Sequence, residues 1–152
     1  MLAVLSMMNA RSLMMGLVLA AALACDVPTV PFAFPTAAVR FEPDAIALGD
    51  TYAQWWAEVE ECAGQAGNLS EVSWYTVPSS GSAVVIDGRE YSGAWYSAGN
   101  RIVLAENTLH WGAGVRHEML HALIHDGSHP TQFFRERCAD VVNCFGTSCI
   151  DN

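Results

Sequence analysis

The segment HEMLHALIHDGSHP, residues 117 to 130, constrains the fold of this 152-residue chain more than any other. It extends an apolar pattern at helical spacing, formed by Val115, Met119, Leu120, Leu123 and Ile124. Asp126 and Gly127 are then expected to end the helix. Four histidines follow one another at intervals of four residues, so the position of the turn decides which of them can meet.

Helix geometry separates the four histidines. His117 and His121 are four residues apart, so their imidazoles lie one above the other and can share a metal ion. His125 lies about 12 Å along the axis from His117, too far to join them on an unbroken helix. His129 follows the turn-forming residues Asp-Gly-Ser, and a chain that doubles back there can return it to the metal. The predicted ligands are therefore His117, His121 and His129.

Residues 117 to 121 also match H-E-x-x-H, the helix motif of zinc hydrolases. In this spacing the glutamate at i+1 faces the metal-bound water, which makes Glu118 the predicted catalytic residue. A catalytic zinc takes three protein ligands and leaves one position for water, whereas a structural zinc takes four. The three-histidine set thus predicts one Zn²⁺ ion of the catalytic type.

The other two histidines have simpler predicted roles. His125 is expected at the helix C-terminus, where an imidazolium interacts favourably with exposed carbonyls. Contact with a metal ligand or with substrate is the alternative for this residue. His110 precedes the motif and is expected on the surface or at the helix N-terminus.

The N-terminus has the pattern of an export signal. Arg11 precedes the apolar run of residues 12 to 24, about 13 residues, which is shorter than the roughly 20 needed to span a bilayer. Residues 1–24 are therefore predicted to be a signal peptide. The sequence ALAC at the junction fits either cleavage for secretion or a bacterial lipoprotein box with lipidation of Cys25, and we favour the lipid-anchored protein of the cell envelope.

Cysteine usage agrees with export. Without Cys25, four cysteines remain, an even number that suits disulfides in an oxidising compartment. Three connectivities are open, and we favour Cys62 with Cys138 and Cys144 with Cys149. A cysteine-based metal site is the competing interpretation, but no C-x-x-C spacing occurs.

Charge restricts the class of partner. The chain has 16 acidic residues against seven arginines and no lysine, and it forms no basic cluster. Such a surface repels phosphate backbones, so nucleic acid is not an expected partner. A peptide or protein substrate, and a membrane reached through a lipid at Cys25, are the expected partners. The oligomeric state stays open.

The remaining segments predict one α+β domain over residues 44–152. Residues 25–43 contain four prolines and predict an extended tether. Residues 51 to 63 predict an amphipathic helix with Asp50 as N-cap, Gly64 as the stop, and Trp55 and Trp56 in the core. Four strand-like segments follow, at 71–77, 83–87, 89–97 and 101–107, with a hairpin at Asp87-Gly88. They predict a small antiparallel meander, followed by the motif helix and a disulfide-bonded C-terminal tail.

This order of elements, with H-E-x-x-H and a later turn histidine, resembles the minimal zincin metallopeptidases, in particular the SprT-like and WLM groups. The resemblance covers residues 50 to 135 and implies His117, His121 and His129 as ligands and Glu118 as general base, with Phe133 or Phe134 packed behind the site. Ile124 and Gly127 replace the Gly and His of metzincins, which excludes that subgroup. The DNA-linked substrates of SprT-like proteins do not transfer to an exported acidic chain.

The resemblance also implies a mechanism. Zinc would activate a water, Glu118 would take its proton and pass it to the leaving amine, and an extended substrate would bind along an edge strand, expected at RIVLAEN. Tyr91, Tyr96 and His125 are the candidates for stabilising the oxyanion, although strand packing is the simpler role for the tyrosines. A non-catalytic zinc-binding envelope lipoprotein is the alternative to a peptidase, and an interaction lipoprotein with an incidental motif is the third interpretation.

Overall fold

Three helices and a four-stranded sheet build the core of the computed structural model, which describes residues 33–46, 49–78, 84–86 and 89–144. These residues belong to one compact unit. The helices are α1 (Gly49–Ala63), α2 (Gly112–Ile124) and α3 (Ala139–Val142), with a π-helical segment at Gln132–Arg137. The strands are β1 (Val39–Phe41), β2 (Ser73–Val77), β3 (Val84–Ile86), β4 (Arg89–Tyr91), β5 (Gly93–Tyr96) and β6 (Arg101–Ala105). The predicted α+β class is confirmed.

Helix α1 has the amphipathic character expected from its sequence. Tyr52, Trp56 and Val59 are buried on one face, and Trp55 packs against them from a partly buried position, so the core prediction for both tryptophans holds. The helix begins at Gly49, which places Asp50 inside the first turn rather than at the N-cap. There its carboxylate still lies at the positive end of the helix dipole. Gly64, with φ +69°, ends the helix as predicted.

The sheet has the order β1-β2-β6-β5, and its topology corrects the predicted meander. Strands β2 and β6 are parallel, with Ser73 opposite Arg101 and Val77 opposite Ala105, whereas the other two pairs are antiparallel. After β2 the chain forms the separate antiparallel hairpin β3–β4, and then enters the sheet at its far edge as β5. Strand β6 therefore fills the space between β5 and β2. The turn residues Asp87 and Gly88 lie outside the described residues.

Strand β6 is consequently an inner strand, and the prediction that it binds substrate as an edge strand is wrong. Its four residues Ile102 to Ala105 are all buried, as expected for a strand that is paired on both sides and covered on both faces. Because a parallel neighbour requires a crossover that local periodicity does not reveal, the sequence suggested a simple hairpin order instead. The edge strands of this sheet are β1 and β5.

The predicted tether is also corrected where the structure describes it. Val39–Phe41 form β1 against β2, and the ring of Phe34 packs edge-on against Tyr75 and Tyr96 at centroid distances of 4.9 and 5.2 Å. The folded domain thus begins before residue 44. The signal peptide, Cys25 and the rest of residues 1–32 lie outside the described residues, so export and lipidation stay predictions. None of the described helices is long and apolar enough to cross a membrane.

The disulfide between Cys62 and Cys138 is confirmed. It joins the end of α1 to the residue before α3, across 76 positions of sequence. Cys144 is also disulfide-bonded, but its partner lies outside the described residues. The pairing of Cys144 with Cys149 therefore stays a prediction. Disulfides fit an extracytoplasmic compartment.

Candidate metal centre

The three predicted ligands converge into one cluster. His117 Nε2 lies 3.1 Å from His129 Nε2 and 3.2 Å from His121 Nε2, and the candidate ligand atoms all lie within 4.8 Å of one another. Two nitrogens bound at about 2.0–2.1 Å to a tetrahedral metal are separated by about 3.3 Å. The short distances in the cluster match this separation, so the three side chains could hold one metal ion.

The turn after α2 brings His129 back to the helix. His125 adopts the left-handed conformation, with φ 53°, and ends α2 one residue before the predicted break at Asp126. The Asp126 carboxylate then accepts hydrogen bonds from the backbone N–H and the hydroxyl of Ser128, at 2.8 and 2.7 Å. This Asx-type turn reverses the chain, because the aspartate side chain replaces the next turn of helix. His125 itself is exposed and lies outside the cluster, as predicted.

The backbone fixes the tautomer of His121. Its Nδ1 lies 2.6 Å from the carbonyl oxygen of Asp126. A carbonyl oxygen can only accept a hydrogen bond, so Nδ1 must carry the proton. In the neutral imidazole the lone pair is then on Nε2, the nitrogen that points into the cluster. This is the usual orientation of a histidine that binds a metal.

His117 has a different partner. Its Nδ1 lies 3.6 Å from the sulfur of Cys144, and a sulfur in a disulfide has no hydrogen to donate. In the tautomer with hydrogen on Nδ1, this nitrogen donates to the sulfur and the lone pair of His117 is on Nε2. Burial first, and then the charges of His121 and His129, lower the pKa of His117 to about 3. The ring is neutral near pH 7, as a metal ligand must be.

These two orientations bring like groups together. With hydrogen on Nε2 of His117, this atom could donate to Nε2 of His121, 3.2 Å away. With hydrogen on Nδ1 of both rings, the two Nε2 atoms carry lone pairs that face each other. A cation between them would convert this repulsion into two coordinate bonds. The chemistry of the donor set therefore fits a metal ion.

An aromatic side chain closes the inner side of the cluster. Phe134 is fully buried, and its ring centroid lies 5.0, 4.6 and 4.8 Å from those of His117, His121 and His129. This matches the phenylalanine that the resemblance places behind the site. The π-helical segment that carries Phe134 is not predicted by the sequence, since its extra residue per turn has no distinct periodic signal.

Glu118 lies on α2 beside the cluster and faces strand β5. Its side chain is only 6% exposed, and burial raises its pKa to about 8. A hydrogen bond from the backbone N–H of Trp95 opposes this rise, since it favours the ionised carboxylate. Gly93 leaves the space that the glutamate fills, because a Cβ at residue 93 would lie 3.0 Å from Glu118 Cγ.

Trp95 is the residue of the site that sequence analysis missed. Its indole ring stacks on His121 with an interplanar angle of 11° and contacts His125 edge-on, both at centroid distances of 6.4 Å. Its Nε1 donates to the side-chain oxygen of Asn100 at 2.7 Å, which fixes the ring. The sequence predicts Trp95 only as a residue of a strand. The contact with α2 depends on which part of the sheet packs against this helix, which no local signal showed.

The tyrosines suggested as oxyanion stabilisers lie on the other face of the sheet. Tyr91 and Tyr96 pack with Val77, Val103 and Ala105, whereas the histidines adjoin the opposite face. Tyr96 donates to the carbonyl of Ala33 at 3.5 Å. The packing role is therefore correct for both, and the oxyanion role is wrong. His110 is exposed immediately before α2, as expected.

A cavity of about 470 Å³ lies at the N-terminal end of α2, lined by Ser92, Asn107, Thr108 and Trp111. None of the three clustered histidines lines it.

Comparisons of the chain with protein-family models, with curated proteins and with solved structures give no match. Function is therefore inferred from the residues of the histidine cluster and their neighbours.

Proposed function

We propose that this chain is a zinc-dependent metallopeptidase whose ligands are His117, His121 and His129 and whose general base is Glu118. The observation that carries the proposal is the convergence of three histidine side chains, with the Nε2 atoms of His117 and His121 3.2 Å apart, next to a buried glutamate in an H-E-x-x-H helix. Three nitrogen ligands leave one position of a tetrahedral zinc for water, which is the arrangement of a catalytic site.

The chemistry divides between the ion and the chain. A bound zinc ion would act as a Lewis acid and lower the pKa of a coordinated water to about 7. Glu118 takes the proton of the attacking water and delivers it to the nitrogen of the leaving amine. The Trp95 N–H that donates to Glu118 holds this carboxylate in place for both transfers. Phe134 and the surrounding core exclude competing water from the inner side of the histidines.

Strand β5 is the proposed site for the peptide backbone of the substrate. The backbone N–H of Ala105 donates to the carbonyl of Ser92. In an antiparallel pair every second residue is hydrogen-bonded to the neighbouring strand, so the backbone N–H and C=O groups of Ser92, Ala94 and Tyr96 point towards β6. Those of Gly93 and Trp95 point away from β6, and no described strand pairs with them. An extended peptide added at this edge would pass Glu118, which already accepts from Trp95.

The proposed setting is outside the cytoplasm. The Cys62–Cys138 disulfide supports export, and the junction at Cys25 supports either a lipid anchor in the cell envelope or free secretion. The proposed partner is an exposed, unstructured peptide or protein segment. Nucleic acid is not proposed, because the acidic charge of the chain opposes it.

The decisive experiment combines metal analysis with a single substitution. Purified wild-type protein and Glu118→Gln should each contain one zinc ion per chain, because residue 118 is not a proposed ligand. The wild type should cleave members of a broad unstructured-peptide library, and Glu118→Gln should lose at least about 100-fold in kcat/KM, in line with the loss of a general base. His110→Ala, an exposed histidine outside the cluster, is the matched control and should retain both zinc and cleavage. Zinc without any cleavage by the wild type would contradict the peptidase.

A non-catalytic zinc-binding protein of the envelope is the second candidate. The observation in its favour is the raised pKa of Glu118, since a carboxyl group that is protonated at neutral pH does not act as a base. A zinc ion beside the carboxyl group would favour its ionised form and restore the base. Equal zinc content in wild type and Glu118→Gln, together with an absence of hydrolysis in both, would identify this second candidate.

A further inference from the structure

The C-terminal end of the described chain returns to the histidine cluster. Helix α3 stops at Val142, and Asn143 adopts the left-handed conformation with φ 58°, which asparagine tolerates better than most residues. The backbone N–H of Cys144 donates to the carbonyl of Ala139 at 3.0 Å and closes the turn. The Cys144 side chain is thereby buried, at 2% exposure, against α2.

A second contact fixes α3 against the same turn of α2. Arg116, the residue before His117, donates from Nε to the carbonyl of Val141 at 2.8 Å. Its guanidinium also pairs with Glu58 of α1 at 3.2 Å. The position of Cys144 relative to His117 is therefore set by the backbone turn after α3 and by the Arg116 side chain, which holds α3 against α2.

The sulfur of Cys144 faces Nδ1 of His117 and can accept a hydrogen bond from it. The 3.6 Å contact joins its sulfur to Nδ1, on the opposite side of the ring from the cluster. The sulfur is disulfide-bonded and can only accept, so the contact favours the tautomer with hydrogen on Nδ1. In the other tautomer Nε2 would carry the hydrogen and could donate to Nε2 of His121 or His129, at 3.2 and 3.1 Å, but it would have no lone pair for a metal ion in the cluster.

We propose that the half-cystine sulfur of Cys144 is a positioning residue of the zinc site, where it takes the place of the oxygen acceptor that usually orients a metal-binding histidine. The proposal rests on the proposed zinc site for its consequence, which is tighter binding of the ion. Its structural content is that Nδ1 of His117 carries the hydrogen in the metal-free protein as well. It also links Cys144 to the site, a function that the cysteine spacing alone does not suggest.

The first test uses the wild-type full chain, produced with its disulfides formed and then freed of metal by a chelator. Long-range ¹H–¹⁵N correlation spectra distinguish the two neutral tautomers of each histidine, and His117→Gln identifies the resonances of residue 117. We expect hydrogen on Nδ1 of His117. A predominant Nε2–H tautomer would overturn the proposal, whatever the variants do.

The second test compares two variants that differ in the acceptor. Cys144→Ala removes the sulfur, whereas Cys149→Ala removes another C-terminal cysteine and keeps the sulfur of residue 144. Loss of a group that orients a metal ligand weakens metal binding by about 10- to 100-fold. We expect the zinc Kd, measured by competition with a chromophoric chelator, to rise at least about tenfold in Cys144→Ala and clearly less in Cys149→Ala. Equal losses in both variants would show that the sulfur of residue 144 has no effect of its own on zinc binding, and would contradict the proposal.

The two proposals fail in different ways. If the wild type binds no zinc, the metallopeptidase is refuted, while the tautomer of His117 in the metal-free chain still decides the role of Cys144. If zinc binds and peptides are cleaved but His117 carries its hydrogen on Nε2 when metal-free, only the role of Cys144 is refuted. Should Cys144→Ala fail to fold, the wild-type spectra remain sufficient.

Discussion

At the scale of single residues, two buried groups on consecutive positions of α2 have pKa values shifted in opposite directions. Burial lowers the pKa of His117 to about 3 and raises that of Glu118 to about 8, because the charged form of each is poorly solvated inside the protein. Both groups are therefore neutral at pH 7 in the metal-free chain. His117 is thus uncharged, as a metal ligand must be, and a bound zinc ion would favour the ionised form of Glu118.

These shifts predict how the stability of the metal-free protein depends on pH. His117 binds more protons when unfolded between about pH 3 and 6.5, so its contribution rises with pH in that range. Glu118 binds more protons when folded between 4.5 and about 8, so its contribution falls with pH there. The two cancel between 4.5 and 6.5, and only the fall due to Glu118 remains above 6.5.

The expected loss from pH 6.5 to 8 is about 2 kcal/mol, from 1.36 kcal/mol per pH unit. Urea unfolding of the chelator-treated protein at several pH values measures it. Glu118→Gln cannot titrate, so its unfolding free energy should stay level over this range, and Glu136→Gln, at an exposed position, should follow the wild type. A fall of the same size in Glu118→Gln would assign the effect to another group.

At the scale of elements, the site depends on how closely β5 approaches α2. Gly93 lies where the strand meets the helix, and a Cβ there would lie 2.8 Å from Leu104 Cδ2 and 3.2 Å from the carbonyl oxygen of Val103, as well as near Glu118. The missing side chain thus allows the contact between Trp95 N–H and the Glu118 carboxylate. Trp95 adds a ring stacked on His121, so one short strand contacts both a proposed ligand and the proposed base.

Gly93→Ala should therefore separate strand and helix. We expect a loss of about 1–3 kcal/mol in the free energy of unfolding, typical of overpacking, and a larger loss in kcat/KM than in zinc affinity, because Glu118 is displaced and the histidines are not. Gly127→Ala is the matched control, since its Cβ would meet only Trp95 ring carbons at 3.8 and 3.9 Å. It should change stability by no more than about 0.5 kcal/mol. Unchanged cleavage by a folded Gly93→Ala would show that the close approach is unnecessary.

At the scale of the whole molecule, the Cys62–Cys138 disulfide joins the first helix to the region after the histidine cluster. The loop it closes spans most of the described chain, so the bond restricts the unfolded state strongly. It also anchors the segment between Phe134 and Cys144, both of which contact the histidines. Helix α1 has no candidate ligand, yet it supports the site through this bond and through its packing on α2.

Removing this bond by the double change Cys62→Ala and Cys138→Ala should lower the free energy of unfolding by about 4 kcal/mol, from the loop-closure entropy of a loop of this length. Denaturant unfolding under oxidising conditions measures the loss, with Cys149→Ala as a control that leaves this bond intact. The zinc content of the folded fraction should be unchanged, because neither cysteine contacts the histidine cluster. A loss below about 1 kcal/mol would mean that the bond does not hold the fold together.

The sequence by itself determined the local features of this protein. Helical spacing placed His117 and His121 on one face and Glu118 beside them, helix rise removed His125, and the Asp-Gly-Ser turn returned His129. The amphipathic pattern predicted the bounds of α1 to within two residues, and it placed the two tryptophans of this helix in the core. These features follow from contacts between residues close in the chain, and periodicity and turn chemistry describe such contacts directly.

Only the tertiary structure decided which distant segments meet. The parallel pairing of β2 with β6 made β5 the edge strand, placed Trp95 on His121 and sent Tyr91 and Tyr96 to the opposite face. The return of the chain after α3 placed the sulfur of Cys144 against Nδ1 of His117. Residues 39 to 41, in the segment predicted as a tether, became an edge strand of the sheet. Such contacts depend on strand order and chain crossing, which local sequence patterns do not specify, because many orders bury the same apolar faces.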